Sequence, residues 1–131
     1  MPQTRLVAKL KATTAVTAIV STRIYPVLRP AGTALPAVVY QVLSNNPVNT
    51  AGGSTTTREM RLTVDCIAGT YAGAWALANV VRDALSGWVD DSGDVWHLDS
   101  ETDSPGDLGP GQEEQVTYGV NQDYLVWFDE T

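Results

Sequence analysis

Apolar residues recur along this chain at two kinds of spacing. Over residues 5–20, Leu6, Leu10, Val16, Ile19 and Val20 fall on one face of a helix, with Lys9 and Lys11 away from it. A break near Thr13 and Thr14 fits this pattern, because either hydroxyl can cap a second short turn. Pro26 and Pro30 then forbid a long helix, so residues 21–36 read as an extended stretch or loop around Ile24 and Tyr25, closed by Gly32 and Pro36. A period of two follows. Val38, Tyr40 and Val42 alternate with Val39, Gln41 and Leu43, which predicts a strand over 37–44 with both faces partly apolar. In 58–68, Met60, Leu62, Val64 and Cys66 face one side and Arg61, Thr63 and Asp65 the other.

The helical period returns after Gly69. Thr70 is placed as an N-cap, and Tyr71, Ala74, Leu77, Ala78, Val81, Leu85 and Trp88 follow at three-and-four spacing, with Gly87 placed to end the helix. Asp90 to Gly93 make an acidic turn, and Val95 to Leu98 a short strand. The last strand spans about 115–129, where Val116, Tyr118 and Val120 alternate before Tyr124, Val126 and Phe128 resume the pattern; a bulge or turn is expected at Asn121–Asp123. Two segments lack apolar anchors, 45–57 and 99–114, and both read as long polar loops, mobile in the free subunit and ordered by a partner. The order helix, strand, strand, helix, strand, strand predicts an α+β fold: one domain over 1–131, an antiparallel β-sheet packed on one face by helices, with long projecting loops.

Charge changes this picture. The first 61 residues carry seven Lys and Arg against one acidic residue, and the remaining 70 carry one Arg against fourteen. Such a division points to partners or stacking surfaces. The net charge of −7 makes the chain a poor wrapper of nucleic acid, since phosphate binding needs cations to displace counterions. A single cysteine, Cys66, excludes an internal disulfide framework and, lying in a strand, reads as a buried inert thiol. No apolar run approaches the ~18 residues of a membrane span, and the N-terminus lacks the features of a secretory signal, which makes a reducing cytoplasm the default location.

Candidate chemistry is sparse. His97 stands alone beside Trp96, and no G-x-S-x-G nucleophile elbow occurs. Cys66 and His97 are single and lack the paired spacing of a metal site. Asp90 and Asp94, and Asp99, Glu101 and Asp103, are weak calcium candidates outside the EF-hand pattern and read better as solvated loops. Gly52-Gly53 lacks a following Lys-Ser/Thr, and Gly106, Gly109 and Gly111 do not lie between a strand and a helix, so no phosphate loop is present. Lys9 and Lys11 read as a solvated helix face. Trp75, Trp88, Trp96 and Trp127 supply core packing and, in part, interface anchors. No catalytic, cofactor-binding or metal-ligating residue is nominated, no cofactor is called for, and a binding or structural role is left.

Several segments together resemble the tail-completion proteins of long-tailed bacteriophages, also called tail terminators or tail-to-head joining proteins. They are the N-terminal helix with Ala15-Val16-Thr17-Ala18-Ile19-Val20, then Arg23-Ile24-Tyr25-Pro26, then Leu35-Pro36-Ala37-Val38-Val39-Tyr40-Gln41, then Val64-Asp65-Cys66-Ile67-Ala68-Gly69-Thr70-Tyr71 and the helix to Leu85. The resemblance implies a structural protein and not an enzyme: a virion ring subunit, usually one of six, on the head-proximal end of the tail tube. Its implied partners are further copies of itself, the tail tube protein and a head-completion or connector protein. DNA passes through the bore without specific binding, no membrane is involved, and assembly takes place in the host cytoplasm. The alternatives are another neck or minor tail component, such as a head-closure protein, and a small soluble ligand-binding domain.

Overall fold

The N-terminal pattern forms two helices, α1 (Pro2–Ala12) and α2 (Thr14–Val20). Pro2 occupies the first turn of α1, where its missing N–H is not needed. Pro2, Leu6 and Leu10 are buried along one face, and Lys9 and Lys11 sit in the last turn, where cations complement the helix dipole. The chain breaks at Thr13, as its position predicts, but by another route than capping α2: the Thr13 hydroxyl donates backwards to the Lys9 carbonyl at 2.7 Å, satisfying an orphan acceptor at the end of α1. In this computed structural model residues 1–30, 33–50, 52–104 and 117–129 are described.

Five strands follow: β1 (Ile24–Pro26), β2 (Ala37–Thr50), β3 (Gly53–Ala68), β4 (Trp96–Ser104) and β5 (Tyr118–Asp129), with α3 (Tyr71–Leu85) between β3 and β4. They form one sheet in the order β1-β2-β3-β5-β4. The α+β class holds, but the sheet is mixed: β1 runs parallel to β2, with Ile24 opposite Val38 and Pro26 opposite Tyr40. Arg23 fixes this entry, its Nε donating to the Pro36 carbonyl at 2.8 Å and its Nη2 to that of Ile19 at 3.1 Å. After β3, helix α3 crosses one face of the sheet to β4, and β5 fills the space between the two strands, antiparallel to both.

Three expectations are corrected. Residues 45–50 and 53–57 are strand and not loop, since β2 runs to Thr50 and β3 starts at Gly53. This hairpin is held by backbone pairing, with Asn45 opposite Met60 and Asn46 opposite Glu59, and by Arg58, whose Nε donates to Asn45 Oδ1 and whose Nη2 donates to the Asn45 carbonyl. Alternation shows only where one face is buried, so a ribbon of Asn, Ser and Thr gives no such signal. Residues 99–104 are likewise strand, paired with β5, while 105–114 lie outside the described residues. Finally, β5 has no bulge at Asn121–Asp123. It pairs with β3 without interruption, and the irregularity lies in β4, between Leu98 and Ser100.

The core lies between α3 and the sheet. Leu77, Val81 and Leu85 are fully buried, as are Leu62 and Val64, within one cluster that also takes Leu6, Leu10, Val16 and Val20 from the N-terminal helices. Thr70 caps α3, its Oγ1 accepting from the Gly73 N–H at 3.0 Å. The helix stops at Ser86, and Gly87 follows at φ +74°, a left-handed position that suits glycine.

Candidate interaction surface

Among the described residues, those considered for chemistry do not converge on one site, and most have structural partners. His97 is exposed on the sheet face opposite α3, its ring 5.7 Å from that of Trp127 in an edge contact. Cys66 is fully buried, and burial pushes its thiol pKa well up, so it stays protonated and inert. Lys9 lies over the Trp88 ring at 5.4 Å, a cation–π contact in place of a freely solvated face. Trp96 is fully buried, whereas Trp127 is 43% exposed.

The acidic residues are structural acceptors. Asp90 Oδ1 takes the backbone N–H groups of Ser92 and Asp94, while its Oδ2 takes the Trp96 indole N–H and the Arg5 guanidinium. Asp94 Oδ2 binds the same Arg5 nitrogen at 2.8 Å. The Asp90–Asp94 pair is thus neutralised by a cation of the chain itself. Burial raises the Asp90 carboxyl, but the Trp96 bond, the two backbone bonds and the Arg5 charge together outweigh it, and its pKa falls below the ordinary value. On β4, Asp99 pairs with Arg61 at 2.8 Å and Glu101 with Arg82 at 2.7 Å, and Asp103 accepts from the Tyr71 hydroxyl and the Trp75 indole. The hydrogen bond from Arg61 to Asp99 holds the guanidinium more firmly protonated still. No group of three or more His, Cys, Asp and Glu that could hold a metal ion occurs among the described residues. Part of the charge division between the two halves is therefore spent inside the subunit, in Arg5–Asp90 and Arg61–Asp99.

One polar residue was missed. Gln122 is fully buried on β5 among apolar neighbours. Its Nε2 donates to the Ala78 carbonyl at 2.8 Å and to Glu101 Oε2 at 2.6 Å, and its Oε1 accepts from the Tyr124 hydroxyl at 2.8 Å. The signal was the undisturbed parity of 120, 122, 124, 126 and 128. These groups join helix to sheet and leave no free acid, base or nucleophile.

What remains open is surface. The sheet face opposite α3 is a lattice of polar pairs, with Asn121 donating to Asp65 and Ser100 to Asp123, ending in the exposed Trp127–His97 contact. Most of the other exposed large apolar residues lie elsewhere: Val27, Leu28 and Leu43 by the outer side of β2, Val89 and Val95 by the start of β4, and Tyr71 and Tyr118 in edge contact near its end. An α+β layer in which Asp90, Asp94 and the carboxylates of β4 have partners within the subunit, and most of whose exposed large apolar residues lie at its margins, has the features of an assembly subunit.

The chain belongs to a family of structural phage tail proteins. That family is described as tail completion protein gp17, and its model matches residues 4–129, nearly the whole chain. Among solved structures, a chain from the virion of a native gene transfer agent particle is similar in fold, with a TM-score of 0.67 at 18% identity, over 97% of this chain and 93% of that one. No curated protein matches.

Proposed function

We propose that this chain terminates the tail tube as one subunit of a six-membered ring at its head-proximal end, and presents the opposite face of that ring to a head-completion protein. The observation that carries the reading is the family match over 4–129, whose description is tail completion. The fold supports it through what its polar groups do: Asp90, Asp94, the carboxylates of β4 and the buried amide of Gln122 help hold the subunit together, and exposed apolar residues are left at its margins. A head-to-tail contact between two different margins closes into a ring when its rotation allows. The acidic balance of residues 62–131 suits a bore through which DNA slides, because like charge keeps phosphates from sticking. Assembly would take place in the host cytoplasm before the tail meets the head.

The test is tail assembly with and without the protein. With it, tubes should have one length, carry a ring at one end in negative stain, and join heads. Without it, tubes should vary in length and stay unjoined. Tubes of normal length that join heads in its absence would overturn the reading.

A further inference from the structure

The sheet ends in two unlike edges. On one side β1 accompanies β2 for only three residues and stops at Pro26, opposite Tyr40. Val27 then donates its N–H to the Tyr40 carbonyl and turns away at φ +66°, a left-handed conformation that a β-branched residue rarely adopts. Beyond that point the outer side of β2, from Gln41 to Asn46, has no strand beside it among the described residues. On the other side β4 is the last strand. Its first residue is used, since Trp96 donates to the Trp88 carbonyl and accepts from the Gly87 N–H, but from Leu98 to Asp103 nothing pairs with its outer side among the described residues.

An open strand edge is a template for another strand, and proteins usually guard it with charge. The β2 edge, Gln41-Val42-Leu43-Ser44-Asn45-Asn46, carries none. Beside it runs a groove of about 310 Å³ lined by Gln3, Pro26, Val27, Tyr40, Gln41 and Val42. Gln3 Oε1 is buried with no hydrogen-bond partner among the described residues. Val27, Leu28 and Leu43, between 52% and 67% exposed, flank the same edge. The β4 edge has its own apolar flank in Val89 and Val95.

We infer that these two edges bind each other between copies: the β2 edge of one subunit takes the β4 edge of the next, so that the sheet continues from subunit to subunit. Resting on the ring reading above, this names the contact that would build the ring. Three observations favour a second copy over a foreign strand. The edges lie on opposite sides of one sheet, about 14 Å apart across three strand spacings, so one subunit cannot satisfy itself, and joining the two unlike edges makes a heterologous contact of the kind that closes into rings. Apolar residues flank both edges. The exposed charges are also of opposite sign, with Lys11 near the β2 edge and Asp99 and Asp103, each already partnered within the subunit, exposed along β4. Strand addition supplies main-chain hydrogen bonds to both edges and covers Val27 and Leu43.

Disulfide trapping in the full chain tests the pairing. Leu43→Cys is combined with Ser100→Cys or with Thr102→Cys to allow for register, and Cys66 stays in place because it is buried. Reduced variants are first checked by thermal melts against the parent. On assembled tails, mild oxidation of at least one double variant should give a ladder of covalent multimers ending at the ring, and both component single variants should stay monomeric. Leu43→Lys, which places a charge on the uncharged edge without touching the core, should abolish rings while melting like the parent. If the parent forms rings but every double variant stays monomeric, or if Leu43→Cys alone gives covalent dimers, the edge pairing is wrong and the ring reading stands. If the parent forms no ring on tails, the ring reading and the pairing fall together.

Discussion

Gln122 Nε2 lies 2.8 Å from the Ala78 carbonyl oxygen, so a fully buried amide of β5 hydrogen-bonds to the backbone of the helix that crosses it. The same nitrogen donates to Glu101, and the amide oxygen accepts from Tyr124. Every polar atom of the side chain is used, which is the condition under which a buried polar group is tolerated. Replacing Gln122 with Leu keeps the volume but leaves the Tyr124 hydroxyl and Glu101 Oε2 without this partner. The expected loss is about 2–3 kcal/mol, read as a shift of the urea midpoint at constant slope. A variant as stable as the parent would show that the network is not a source of stability.

The helix stripe predicts a contrast between two positions one turn and a little more apart. Leu77 is fully buried against the sheet, and Leu77→Ala should lose about 2–5 kcal/mol through the transferred methyl groups and the cavity left behind. Arg82 lies off that stripe, but its Nη1 holds Glu101 at 2.7 Å and its Nη2 holds Asn79. Its side chain is 35% exposed, so Arg82→Ala should lose only about 1 kcal/mol. Because Arg82 and Gln122 share Glu101, the double variant with Gln122→Leu should depart from additivity. Thermal melts of these four variants and the parent decide both points.

Helix α3 and strand β3 were legible because each buries one face, which writes its period into the apolar residues: Leu77, Val81 and Leu85 on one, Leu62, Val64 and Cys66 on the other. The N-terminal break at Thr13 was legible too, although its hydroxyl caps the preceding helix and not the following one. The hairpin over 45–57 and the second half of β4 were not. Their anchors are polar, and Asp99 and Glu101 find their cations on β3 and α3, at Arg61 and Arg82. No local window contains both ends of such a pair. Gln122 misled in the opposite sense, a polar residue at an inward position that reads as a bulge. Around Ile24 and Tyr25 an extended stretch was legible, but three residues are too few to show that β1 pairs with β2, or that it does so in parallel. The open edges of β2 and β4 are properties of strand order, which only the folded chain displays. Family membership, by contrast, lay in short motifs from the N-terminal helix to Leu85 and needed no structure.

Capping gives a further prediction. A Cβ added at Gly73 would stand 2.8 Å from the Thr70 Oγ1 that caps α3, with the next contact at 3.4 Å to Ala68 Cβ. Thr70→Ala should lose about 1 kcal/mol through the cap. Gly73→Ala would ordinarily gain up to about 1 kcal/mol in helix propensity. Here it should displace the Thr70 hydroxyl and gain little or nothing. In the Thr70→Ala background that conflict is removed, and the same Gly73→Ala change should stabilise. Equal effects of Gly73→Ala in both backgrounds would show that the cap and the added methyl do not compete.

Asp90 sets the response to acid. Its carboxyl is buried, 5% of the residue being exposed, and its folded pKa lies below the ordinary carboxylate value because the Trp96 indole, two backbone N–H groups and Arg5 outweigh the effect of burial. A carboxyl with a lowered folded pKa binds fewer protons folded than unfolded. Its contribution is therefore complete above the unfolded value of about 3.9 and is lost as pH falls through the folded one. Asp90→Asn removes the charge and also turns an amide N–H₂ toward groups that are all donors: either toward Trp96 Nε1 and Arg5, or toward the backbone of Ser92 and Asp94. No orientation of the amide satisfies both sets. The variant should be about 2 kcal/mol less stable than the parent near neutral pH, and the gap should narrow below about pH 4 as the parent's carboxylate takes up its proton. Urea titrations of both proteins from about pH 7 to about pH 3 measure this directly. A gap that stays constant across that range would mean that Asp90 contributes through shape and neutral hydrogen bonds, and that the Arg5 pairing adds nothing.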